Sequence, residues 1–147
     1  KAYSIMSLYK SKVYEVESAT QEQIFNKLSN PGALTEKIEN LPDAVKEKLD
    51  AVKFGPDSIT LNVPPVGELK MVLSEKVAPS KIVISPESSP VPFGMIIDIA
   101  TAENGKATIA AGLNIELNPF LLQMVGNKLE EGVDGIAKML AKLPFAD

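Results

Sequence analysis

Apolar and polar positions along this chain follow first one period and then another. From Ser11 to Ser18 (S-K-V-Y-E-V-E-S) they alternate, the mark of a half-buried strand, with Val13, Glu15 and Glu17 on one face and Tyr14 and Val16 on the other. Helical spacing follows. Thr20 and Gln23 form a capping-box pattern, Ile24 and Leu28 stand one turn apart, Leu34 and Ile38 follow Asn30-Pro31-Gly32, and Val45 and Leu49 follow Leu41-Pro42-Asp43. These segments predict two or three short helices, each too short to hold without a surface to pack on.

Alternation returns after Ala51. Ile59, Leu61 and Val63 alternate with Thr60 and Asn62 until Pro64-Pro65 breaks the ladder. Leu69, Met71, Leu73 and Val77 alternate with Lys70, Ser74 and Lys76; after a turn at Ala78-Pro79-Ser80, Ile82 and Ile84 continue the pattern. The stretch from Ser85 to Pro92 (S-P-E-S-S-P-V-P) predicts an exposed hairpin loop. Met95, Ile97 and Ile99 then lead to Glu103-Asn104-Gly105-Lys106, whose Asn-Gly pair is a hairpin signal. Ile109, Ala111, Leu113, Ile115 and Leu117 give the cleanest alternation, against Thr108, Ala110, Gly112, Asn114 and Glu116. Antiparallel strands with one wet face are predicted.

The last segment predicts one long amphipathic helix from Asn118 to Leu143, with Asn118 as N-cap, Pro119 in the first turn and Pro144 as the stop. Leu122, Val125, Leu129, Val133, Ile136, Leu140 and Leu143 recur at three- and four-residue steps along one face. At about 1.5 Å per residue such a helix is roughly 37 Å long, enough to cross a small domain. It needs a broad apolar partner, which the strands supply. Gly126, Gly132 and Gly135 each cost it about 1 kcal/mol relative to alanine, a cost that close approach of the sheet or a bend would offset.

The 147 residues predict one domain, residues 1–147 with 1–8 as an N-terminal lead, and at this size about 68 to 70% of the unfolded surface can be buried. Cysteine and histidine are absent, as are arginine and tryptophan, so every side-chain cation is a lysine. That excludes a disulfide framework, a thiolate or imidazole metal ligand, a histidine base and a guanidinium clamp; no cofactor is expected. A net charge of −4 without a basic cluster argues against a nucleic-acid partner. No apolar run reaches the roughly 20 residues of a transmembrane helix, and K-A-Y-S-I-M-S-L-Y-K is too short and polar for a signal-peptide core. The cytoplasm is the default location. The opening at Lys1 fits removal of an initiator or precursor segment, or a start at Met6 behind added residues.

The order strand, short helices, hairpin-linked antiparallel strands and long C-terminal helix resembles the helix-grip fold of the Bet v 1-like, START-related (SRPBCC) superfamily, with its polyketide cyclase/dehydrase-like branch. The resemblance runs from about Ser11 to Leu143 and is carried locally by S-A-T-Q-E-Q-I-F, P-P-V-G-E-L-K-M and L-N-P-F-L. It implies an α+β domain in which a curved antiparallel sheet of about seven strands wraps the terminal helix. An apolar cavity between them would take a lipid, sterol, quinone, polyketide or hormone. The chain has no G-x-G motif, so the glycine-rich loop of the plant allergen branch is unmatched, and without His or Arg it cannot reproduce cyclase sites built on those residues.

Inward positions expected to line such a cavity are Leu61, Met71, Leu73, Met95, Ile97, Ile109 and Leu113 from the strands, and Leu129, Val133 and Ile136 from the helix, with Tyr14 as a hydroxyl anchor. The same alternation describes ordinary core, since periodicity reports burial and not a void. Glu15 and Glu17 read as acid or base only if turned into the cavity, and otherwise as a solvated face; Asp98 reads as exposed, and Glu130-Glu131 as helix surface. The leading expectation is a soluble binding or transport protein for a small apolar molecule. An enzyme using a cavity carboxylate or Tyr14, and an interaction module resembling activators of Hsp90 ATPase, are the alternatives. The oligomeric state is left open.

Overall fold

The computed structural model describes residues 5–47, 52–55, 58–63, 67–87 and 92–146. Leu49, Pro64-Pro65 and residues 88–91 of the proline-rich loop lie outside these, as do the side chains of Val45, Leu61 and Val63. The described strands are β1 (Ile5–Lys10), β2 (Tyr14–Val16), β3 (Val52–Phe54), β4 (Ser58–Val63), β5 (Gly67–Val77), β6 (Lys81–Pro86), β7 (Phe93–Thr101) and β8 (Ala107–Leu117). The helices are α1 (Gln21–Leu28), α2 (Pro31–Glu39), α3 (Asp43–Glu47) and α4 (Pro119–Leu140). All strands join one antiparallel sheet in the order β1-β8-β7-β6-β5-β4-β3, with β2 also on β8.

The sheet has seven lanes because β1 and β2 share one. Lys10 pairs with Gly112 and Tyr14 with Ile109, so Ser11-Lys12-Val13 face only Ala110 and Ala111, one residue more than the partner strand supplies. This bulge reverses the parity of the chain: Ser7 and Tyr9 face inward before it, and Tyr14 and Val16 after it. Residues 5–8, expected as a lead, are paired strand. Alternation misses them because Met6 and Leu8 on the outer face are apolar too, 55% and 48% exposed.

Register sets the inner face. Ile84, Met95, Leu113 and Tyr9 form one row across β6, β7, β8 and β1, and Ile99, Ile109 and Tyr14 form another. The inner rows are buried together with Leu129, Val133, Ile136 and Leu140 of α4 in a single core. On the opposite face Val83, Ile96, Gly112 and Lys10 share a row. Because α4 packs on β1 and β8 at one end of the strand order and on β4 near the other, the sheet curves around it.

Local chemistry places the helices as the sequence predicts. Thr20 and Gln23 make the reciprocal capping box, and Ile24, Phe25 and Leu28 bury one face of α1. Asn118 accepts from the Leu121 N–H at 2.9 Å, and Pro119 occupies the first turn of α4. The helix stops at Leu140, short of the expected Leu143, and the chain then turns so that Leu143 and Phe145 are fully buried. Lys37 donates its ammonium to the Ala146 carbonyl and ties this tail to α2.

Candidate functional site

Burial on the concave face runs in a gradient along the strands. At the end that carries the β7–β8 hairpin, Val16, Ile99, Ala107 and Ile109 are sealed. Ile24 and Leu28 of α1, Leu34 of α2, and Leu143 and Phe145 of the tail complete the same core. At the other end lie the start of β5, the start of β7, the end of β8 and the first turns of α4. There the inward residues Leu69, Phe93, Leu117, Leu122 and Val125 are only half-buried. These apolar side chains are directed inward yet still reached by solvent. A cleft of about 410 Å³ at this end is lined by Leu69, Pro86 and Phe93 together with Glu68, Lys70 and Glu87, the last two an ion pair 3.4 Å apart.

The residues expected as cavity wall divide along the same gradient. Met71, Met95, Ile97, Ile109, Leu113, Leu129, Val133 and Ile136 are all 2% exposed or less and sit in the packed core. A side chain bordering a space that admits water would show exposure, so these eight described residues present almost no surface to water. Leu73 is half-buried against that core, and the side chain of Leu61 lies outside the described residues. Tyr14 is half-buried and faces inward, but its hydroxyl donates to Asp134 Oδ2 at 2.6 Å. The backbone N–H of Lys12, which the bulge removes from the ladder, donates to Oδ1 of the same carboxylate at 2.8 Å. The hydrogen bond from Tyr14, then that from Lys12, holds Asp134 below its usual 3.8. The same bond to Asp134, reinforced by partial burial, raises the Tyr14 hydroxyl above 10.0.

The other acidic candidates face solvent. Glu15 and Glu17 are exposed and pair with Lys106 at 3.7 and 3.1 Å, which raises the lysine above 10.5, Glu17 contributing most. Asp98 is exposed on the outer face beside Lys81. Among the described residues no group of three or more acidic side chains is placed to hold a metal ion.

Residues the sequence gave no reason to single out complete the site. Tyr9, just after the expected lead, faces inward beside Leu113 and lies under Gly126, where a Cβ would come within 3.3 Å of its hydroxyl oxygen. Phe120 and Met124, in the first turns of α4, are 69% and 62% exposed, so this end of the helix is apolar nearly all round. On the convex face a separate cleft of about 450 Å³ runs past Leu8, Val13 and Ile96 over Ala110 and Gly112.

A curved antiparallel sheet closed over one long C-terminal helix, with short helices plugging one end, is a helix-grip fold. Solved structures place it further. Norcoclaurine synthase from Thalictrum flavum superposes with a TM-score of 0.64 at 15% identity, covering 95% of this chain and 87% of that one. Its truncated form gives 0.65 at 14%, covering 97% and 95%. A conserved protein from Geobacillus kaustophilus gives 0.53 at 16%, covering 94% and 93%. The chain therefore has a Bet v 1-like, helix-grip fold. No family model and no curated protein sequence matches it. Among the described residues no helix is long and apolar enough to cross a membrane.

Proposed function

We propose that this protein binds or carries a small, mainly apolar molecule, of lipid, quinone or polyketide-like character, at the open end of the concave face. The burial gradient carries this reading. Leu69, Phe93, Leu117, Leu122 and Val125 face the helix–sheet interior yet stay half-buried, whereas Val16, Ile99, Ala107 and Ile109 at the hairpin end are sealed. Covering them with a ligand contributes about 25 cal/mol for each Å² withdrawn from water, before ordering costs. Met71, Met95, Leu113 and Leu129 would form the floor. Native mass spectrometry of the purified protein, followed by organic extraction, tests this. A bound mass released into the organic phase is expected; a bare chain mass, with no fluorescence gain from an added anilinonaphthalene probe, would count against it.

A cyclase- or dehydrase-like reaction would need an acid or base inside the cavity. Among the described carboxylates only Glu116 and Asp134 are not exposed; Glu116 shares the outer row with Met6, and Asp134 is held as an anion at the flank of α4. Binding without catalysis is therefore the reading we take. An interaction module is the second reading, favoured by the exposed Phe120, Leu121 and Met124. A Phe120→Ser, Met124→Ser variant that loses a partner captured by the wild type, while keeping probe binding, would support it.

A further inference from the structure

The concave face carries two tyrosines, and their hydroxyls have different fates. That of Tyr14 is bound to Asp134 at 2.6 Å. That of Tyr9 has no hydrogen-bond partner among the described residues, and it is not a sealed group either, because no buried side-chain oxygen or nitrogen is left without a partner. The Tyr9 hydroxyl therefore borders space that water can enter. Its row, Tyr9–Leu113–Met95–Ile84, is otherwise apolar and buried.

The helix is built to admit it. A glycine within α4 costs about 1 kcal/mol against alanine, and at Gly126 the missing Cβ leaves 3.3 Å to the Tyr9 hydroxyl oxygen and 3.7 Å to the ring edge. Gly135, further along the same helix, has nothing within 4 Å of the corresponding point. Leu122 and Val125, the accessible apolar residues of the first turns, adjoin Gly126 on α4. The hydroxyl thus stands where an apolar floor meets an accessible mouth, with both its donor and acceptor capacity free.

We infer that Tyr9 is the polar anchor that orients the bound molecule, which accordingly carries one hydroxyl or carbonyl oxygen on an apolar body; this rests on the binding reading above. A ligand that displaces water from the hydroxyl without replacing the hydrogen bond forfeits affinity, whereas one that replaces it keeps the bond and gains the burial. The anchor thereby selects oxygen-bearing ligands over hydrocarbons of the same shape.

Fluorescence titration with two probes of one shape, 2-naphthol and naphthalene, tests this on wild type, Tyr9→Phe and Gly126→Ala. Tyr9→Phe keeps the ring and breaks no hydrogen bond within the chain, so its Tm should match wild type. We expect it to weaken 2-naphthol about fivefold, the worth of one net hydrogen bond, and to leave naphthalene unchanged. Gly126→Ala, which crowds the hydroxyl, should lower the preference for 2-naphthol in the same direction. Equal 2-naphthol affinity in wild type and Tyr9→Phe, with both probes bound, overturns the anchor and leaves the binding reading standing. If neither probe binds wild type, the binding reading fails and the anchor with it.

Discussion

Tyr14 donates its hydroxyl to Asp134 Oδ2 at 2.6 Å, across 120 positions of sequence, and so fastens the split N-terminal strand to the flank of the C-terminal helix. The bulge at Ser11-Lys12-Val13 makes the contact possible in two ways. It shifts parity so that Tyr14 faces inward, and it frees the Lys12 N–H to bind the second carboxylate oxygen at 2.8 Å. One carboxylate thus satisfies a tyrosine and an irregular stretch of backbone together, and α4 is held against β2 beside the sealed part of the core.

Removing either partner should loosen that hold. Tyr14→Phe and Asp134→Asn are each expected to lower Tm by about 2 to 4 °C. The double variant should fall by clearly less than the sum, because the two side chains act through one bond. Thermal unfolding followed by circular dichroism reads this; strict additivity would mean that the bond contributes nothing.

The pH dependence of the same pair has a definite sign. Asp134 is held below 3.8 in the folded chain, so its contribution is present above the unfolded carboxylate value and is lost as pH falls through the lowered one. Tyr14 is raised above 10.0, so its contribution is complete below the unfolded value and is lost as pH rises through the raised one. The Tm gap between wild type and Asp134→Asn should therefore be level from about pH 5 to pH 9 and shrink beyond both ends. A gap that varied across the middle of that range would assign the effect to other groups.

Two helical glycines should respond differently to alanine. At Gly135 the added methyl meets open space, so Gly135→Ala is expected to stabilise by about 0.5 to 1 kcal/mol. At Gly126 the same gain in helix propensity is opposed by the Tyr9 hydroxyl at 3.3 Å, and the net gain should be smaller. Chemical denaturation of the two variants side by side measures the difference, and equal gains would show that Tyr9 yields freely.

The burial gradient also separates stability from binding. Leu129 is fully buried, and Leu129→Ala should cost about 2 to 5 kcal/mol through lost contacts and the cavity left behind. Leu122 is half-buried at the open end. Leu122→Ala should cost less than about 1.5 kcal/mol in stability yet weaken an apolar probe about fivefold, the worth of roughly 1 kcal/mol of lost contact. The opposite pattern, with Leu129→Ala altering probe affinity at unchanged stability, would move the site into what is here the core.

Much of this architecture was legible in the sequence. Alternation from Ile109 to Leu117 and from Met95 to Ile99 marked the inner rows, Thr20 with Gln23 and Asn118-Pro119 marked helix starts, and Asn104-Gly105 marked a hairpin whose Gly105 has φ 84°. Ile5–Lys10 escaped notice because Met6 and Leu8 make its outer face apolar, which erases the alternation. The site was less legible because period 2 reports which face a residue takes and says nothing about how far along the sheet the core is plugged. Met71 and Leu69 share a face two residues apart, yet one is sealed and the other accessible. That difference is set by α1, α2 and the buried tail, long-range partners that no local pattern encodes. Asp134 carries no local signal for the same reason, since its partners Tyr14 and Lys12 come from the other end of the chain.

Methyl-resolved NMR during titration with 2-naphthol tests the central claim most directly. We predict shifts at the methyls of Leu69, Leu117, Leu122 and Val125, which surround the open end of the concave face, with Leu8, Val13 and Val83 on the convex face unmoved. Shifts confined to the convex residues, or no shifts at all up to the solubility limit of the probe, would contradict it.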